Sequence, residues 1–142
     1  ENIKLVHDLA QQLKLNQYSG NSLNIAALID LKKYDQAQAE CDKMLQILSK
    51  ELRGSGNLNA WIGMYNLFLK LKKKDTGAEA AYKYLKEATK VKGFAFLGLF
   101  GDALYEAAKG KDPSKSLVAV KKLSGPNNPD IKKIERWITL LK

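Results

Sequence analysis

Residues 59–88 read NAWIGMYNLFLKLKKKDTGAEAAYKYLKEA, and this stretch decides the fold. Over 59–73 the apolar residues Trp61, Met64, Tyr65, Phe68, Leu69 and Leu71 follow the period of a helix, not the alternation of a strand. Asp75-Thr76-Gly77 then turns the chain. Ala81, Tyr82, Leu85 and Ala88 resume the helical period over 78–90. A turn this short makes the two helices antiparallel neighbours, so the stretch is a helical hairpin.

The pattern extends both ways. Towards the C-terminus, 94–109 is the most apolar segment, with Phe96, Leu97, Phe100, Ala103, Leu104 and Ala107. Asp112 reads as the N-cap and Pro113 as the first residue of a helix over 114–123. The breakers Ser124–Pro129 separate it from a helix over 130–141 that aligns Ile131, Ile134, Trp137, Ile138 and Leu141. Towards the N-terminus, a helix is expected over 3–14 with Leu5, Val6, Leu9 and Leu13 on one stripe, followed by a turn at Asn16–Asn21. A helix over 22–31 places Ile25, Leu28 and Ile29 inward, and Lys33 and Tyr34 mark a tight break. A long helix over 35–52 repeats Ala37, Cys41, Met44, Leu45 and Leu48 until Gly54-Ser55-Gly56-Asn57 stops it. The fold class is all-α, in antiparallel pairs, and 142 residues suffice for one such domain without disulfides.

The pairs share a motif. A small residue opens the second helix, an apolar one follows four residues later and another three beyond: Ala37, Cys41, Met44; Ala81, Leu85, Ala88; Ser116, Val120, Leu123. The small residue lets the helices of a hairpin approach closely. The small residues are spaced 44 and then 35 residues apart, and a period near the second value is a solenoid signature. A non-repeating bundle that reuses good packing spacings is the alternative.

This motif resembles the tetratricopeptide repeat and its relative, the pentatricopeptide repeat. Lys33-Tyr34-Asp35-Gln36-Ala37 with Cys41 looks like the tetratricopeptide turn and second helix, and Pro126-Asn127-Asn128-Pro129 like its linker. Tyr65-Asn66 with Phe68-Leu69 and Ala81, and Asp112–Leu117, look like pentatricopeptide segments. The resemblance implies a short right-handed α-solenoid of about three and a half repeats. On that reading residues 1–142 form one domain, with pairs at about 20–54, 58–92 and 94–124 and terminal helices at 3–14 and 130–141.

The charge is uneven. Residues 1–55 hold seven basic and seven acidic residues, whereas 56–142 hold 17 basic against 8 acidic, so the whole formal +9 lies in the C-terminal part. A field of one sign favours acidic proteins, nucleic acid or anionic lipid. No apolar run is long enough to span a membrane. One cysteine and one histidine leave no material for a zinc site or a Cys–His nucleophile. Cys41 reads as core, and His7 as a surface or packing residue. Gly93, Gly98 and Gly101 lack the GK[ST] ending of a phosphate loop and suit close helix approach instead. Lys83, Lys86 and Lys90 read as one solvated stripe supported by Glu79. The chain is expected to be non-catalytic, without cofactor or metal.

In helical repeats of this kind ligands meet the face lined by the first helices. Here that face is expected to present Asn66, Lys70, Lys73, Lys74, Tyr105 and Lys109, whose four lysines suit an acidic peptide or a phosphate backbone. The chaperone-tail clamp of some tetratricopeptide domains is missing, because its places hold Ser22, Ala26, Gly101 and Tyr105. The base-reading places of pentatricopeptide proteins hold Leu23, Leu67 and Asp102, and a leucine cannot hydrogen-bond a base edge. The expected function is docking of a protein partner with an acidic segment, as part of a larger scaffold; the alternative is an RNA-binding domain of an organellar factor. The chain begins at Glu1 without a signal-peptide pattern and reads as an excised or processed form. An intracellular, cytoplasmic location is expected, with a mitochondrial or other organellar one as the alternative.

Overall fold

The computed structural model describes residues 2–50, 56–90 and 93–142. Its elements are α1 (Asn2–Asp30), α2 (Tyr34–Lys50), α3 (Gly56–Lys72), α4 (Ala78–Ala88), α5 (Ala95–Ala108), α6 (Ser114–Ser124) and α7 (Pro129–Leu141). Among the described residues there is no strand, as the helical periodicity requires. No helix is long and apolar enough to cross a membrane. The chain divides into two compact units, Glu1–Arg53 and Gly54–Lys142.

In the first unit α1 and α2 form a hairpin. Among the described residues its buried apolar ones are Ile25, Ala26 and Ile29 of α1 and Ala37, Cys41, Met44 and Leu48 of α2, so Cys41 is core as its position in the stripe requires. The segments expected as separate helices, 3–14 and 22–31, run as one. Nothing in Asn16–Asn21 forces a break: no proline is present, and Gly20 costs a helix only about 1 kcal/mol relative to Ala. Adding residues to an existing helix is easier than nucleating a new one. Leu5, Val6, Leu9 and Leu13, the stripe read from the sequence, are all exposed. The reading of His7 falls outside the described side chains. Of the expected stop after α2, Gly54 and Ser55 lie outside the described residues, whereas Gly56 and Asn57 open α3 instead of breaking the chain.

In the second unit α3 is the central helix and packs against α4, α5 and α7. It is apolar all round, and Leu58, Ala60, Ile62, Met64, Tyr65, Leu67, Phe68 and Leu69 are all buried. Helices of that composition belong inside. Trp137 of α7 is fully buried, with its ring 4.8 Å from Phe68 and 5.7 Å from Tyr65, so α7 covers one face of α3. Trp61, Phe96 and Phe100 continue the aromatic layer at centroid separations of 6.4 and 5.8 Å. Where α4 meets α5, a Cβ added at Gly98 would lie 2.7 Å from Thr89 Oγ1, and one at Gly101 2.5 Å from Leu85 Cδ2. Those two glycines are there for close approach.

The ends of α1, α3 and α5 repeat one another. After α1 the Lys32 amide donates to Ile29 O and the Lys33 amide to Leu28 O. After α3 the Lys74 amide donates to Leu71 O and the Asp75 amide to Lys70 O, and after α5 Gly110 and Lys111 donate to Ala107 O and Glu106 O. Each is a Schellman cap, which needs a left-handed residue at its C′ position. That residue is Lys32 at φ 60°, Lys74 at φ 54° and Gly110 at φ 74°. The next helices start soon after. Asp112 caps α6 by accepting the Ser114 amide at 3.0 Å, and Asn128 caps α7 by accepting the Asp130 amide at 2.9 Å.

Candidate functional site

Lysines gather where α3, α5 and α7 of the second unit end. The run Lys70-Leu71-Lys72-Lys73-Lys74 closes α3, where the helix emerges from the core. Lys72 donates from Nζ to Leu140 O at 2.8 Å, which ties the end of α3 to the last turn of α7. Leu71, Lys72, Lys74, Ala108, Leu140 and Lys142 line a recess of about 180 Å³. A second recess of about 340 Å³ shares Lys142 and adds Lys111, Gly110 and Asp112. Lys109 follows Ala108 directly in the chain.

Each group has a local cause. Lys70 is half-buried and pairs with Asp75 at 3.6 Å. Asp75 also accepts the Gly77 amide at 2.7 Å, and that hydrogen bond, helped by Lys70, holds its carboxyl below the usual carboxylate range. Asp112 is likewise held low by the Ser114 hydroxyl and amide. Glu106 accepts from the Ser116 hydroxyl at 2.7 Å. These acids are therefore spent on local bonds, and lysine charge dominates this end. Three helix C-termini meet there, and their negative dipole ends favour the cations that accumulate.

The sequence-selected residues are placed as follows. Lys73 and Lys74 are exposed at the end of α3, and Lys70 stands one turn earlier. Asn66 lies on the same helix but is only 9% exposed, so it is part of the packed interior of the unit. Tyr105 stacks on Tyr82 of α4 at 4.5 Å and 15°, and Lys109 Nζ sits 4.2 Å from the centroid of the Tyr105 ring. Two neighbours on a flat ring take its two faces. Of the residues at the base-reading places, Leu67 is fully buried and Leu23 exposed. Asp102 accepts from the Tyr82 hydroxyl at 2.5 Å and from Lys86 Nζ at 3.1 and 3.2 Å.

Lys86 is the correction to the solvated stripe. Lys83 pairs with Glu79 at 3.5 Å, as its i,i+4 spacing suggests, but Lys86 turns across to α5. Burial, then the hydrogen bond to Asp102 and its charge, push the Tyr82 hydroxyl pKa well above the ordinary tyrosine value. Tyr82, Lys72 and Lys111 went unselected because their importance depends on which helix lies opposite, and periodicity within one helix does not encode that. Among the described residues no three of His, Cys, Asp and Glu gather as metal ligands. No protein-family model, curated protein or solved structure matches the chain.

Proposed function

We propose that the chain is a non-catalytic binding module built from tetratricopeptide-like helical hairpins, which docks an acidic segment of another protein and serves as part of a larger scaffold. The docking site is the lysine-bearing end of the 54–142 unit. The observation that carries this reading is the recess between the ends of α3, α5 and α7, with Lys72, Lys74 and Lys142 on its walls. Carboxylates entering it would meet the ammonium groups of Lys72, Lys74 and Lys142. The apolar wall of Leu71, Ala108 and Leu140 offers contact to the peptide between its acidic side chains. The repeated Schellman caps after α1, α3 and α5, and buried Ala37 and Ala81 in the small-residue places, support the repeat reading.

A protein partner is favoured over RNA by one feature. Single-stranded RNA readers stack bases on open aromatic rings. Here Tyr105, the aromatic residue beside Lys109, has Tyr82 on one face and Lys109 on the other. The test is a fluorescence-polarisation titration with a labelled Glu- and Asp-rich peptide, single-stranded RNA and heparin at two salt concentrations. Peptide binding near ~10 μM that retains a salt-resistant part is expected, with RNA no tighter than heparin. RNA binding that survives raised salt and outcompetes the peptide overturns the proposal.

A further inference from the structure

The first unit carries an apolar face that its own hairpin does not use. Ile3, Leu5, Val6, Leu9, Leu13, Leu23 and Leu31 are each between 56% and 87% exposed. At 3.6 residues per turn, positions 18 apart fall in line about five turns along. Leu5, Leu9 and Leu13 are therefore continued along α1 by Leu23, exposed Ala27 and Leu31. The residues buried in the hairpin, Ile25 and Ile29, lie on the opposite side of the helix. The exposed stripe holds no charged residue, and residues 1–53 are charge-balanced with seven basic and seven acidic.

We infer that this face is where a second copy of the chain docks, α1 against α1 in antiparallel orientation. The stripe reads the same in both directions. Turning the helix end for end about the level of Tyr18 sets Leu5 opposite Leu31, Leu9 opposite Ala27 and Leu13 opposite Leu23. A two-fold interface has this self-complementarity, since each contact occurs twice. The area also suits it. The five leucines of the stripe with Val6 present roughly 600–700 Å² at these exposures, close to the roughly 800 Å² each partner contributes to a standard interface. Single surface leucines are ordinary, but two apolar clusters of that combined size aligned along one side of a helix are not. The net charge favours this end for self-association, because the +9 lies in the other unit, where two copies repel.

The test is the mass of the whole chain in solution by sedimentation and light scattering across a concentration series, with Leu9→Glu/Leu13→Glu as the variant. Both substitutions fall on exposed positions, and far-UV circular dichroism checks that helix content is kept. The native chain is expected at twice the monomer mass, with association weakened roughly a hundredfold or more in the variant. Orientation is read by mixing Leu9→Cys and Ala27→Cys chains under mild oxidation. Cross-linking between the two different variants, well above that of either alone, is expected. A monomer at all concentrations, a dimer indifferent to the glutamates, or Leu9→Cys chains cross-linking chiefly to themselves each overturns the inference.

Discussion

Replacing Gly101 by Ala tests the close contact of α4 and α5, and the outcome depends on one neighbour. In an open helical position this change stabilises by about 1 kcal/mol, because Ala is the better helix former. At Gly101 the added methyl would lie 2.5 Å from Leu85 Cδ2, well inside contact distance. Leu85 is fully buried, so its side chain must leave a packed rotamer to make room. Overpacking of this kind costs about 1–3 kcal/mol, leaving a net loss of ~1 kcal/mol once helix propensity is included. Leu85→Ala alone should cost about 2–5 kcal/mol through the cavity it opens. In that background the clashing atom is gone, and Gly101→Ala should reverse sign and stabilise by roughly 1 kcal/mol. The coupling would be about 1–3 kcal/mol, as expected of residues in contact. Urea unfolding followed by tryptophan fluorescence is suited to this double-mutant cycle, since Trp61 and Trp137 both lie in the 54–142 unit. An equal effect of Gly101→Ala in the two backgrounds would refute the packing argument.

The repeated caps predict opposite effects at equivalent places. Lys74→Gly relieves a left-handed side-chain residue and should stabilise by about 0.5–1 kcal/mol, whereas Gly110→Ala should destabilise by about 1 kcal/mol; the same urea curves decide, and a loss at Lys74 would contradict the cap assignment. The Tyr82–Asp102 bond predicts an alkaline signature. The folded chain holds the Tyr82 proton more tightly than the unfolded chain, so this contribution is complete below about pH 10 and fades as pH rises through the higher folded pKa. Asp102→Asn removes the carboxylate and should bring the Tyr82 titration down towards its ordinary range, read by phenolate absorbance; a titration unchanged from the native chain would count against the bond.

Helix identity was legible wherever a period met a strong breaker. Asp112-Pro113 and Asn128-Pro129 begin helices in the places their chemistry requires, and Asn128 caps α7 through its side chain. The weak signal at Asn16–Asn21 misled because asparagine, serine and a single glycine only tax a helix, and a proline would have been needed to end it. The apolar stripe before it could not be oriented from sequence, since a pattern says that a face is apolar but not what meets it. Similarly, Asn66 looked like a groove residue because the repeat reading left one face of α3 open to a ligand. With α5 and α7 also packed on it, α3 has almost no open face before its final lysines. The lysines themselves were legible as a run. That Lys72 and Lys74 share a recess with the end of α7 required the tertiary structure.

The central claim is that a particular end of the 54–142 unit, and not its overall charge, binds acidic peptide. The most direct measurement compares two variants that remove the same charge in the same titration. Lys74→Glu with Lys142→Glu alters two lysines that line the recess at the ends of α3, α5 and α7, whereas Lys121→Glu with Lys122→Glu alters the exposed flank of α6. Affinity for the acidic peptide should fall roughly tenfold or more in the first variant and less than about threefold in the second. An equal fall in both would mean that net charge alone attracts the peptide, and would contradict the site.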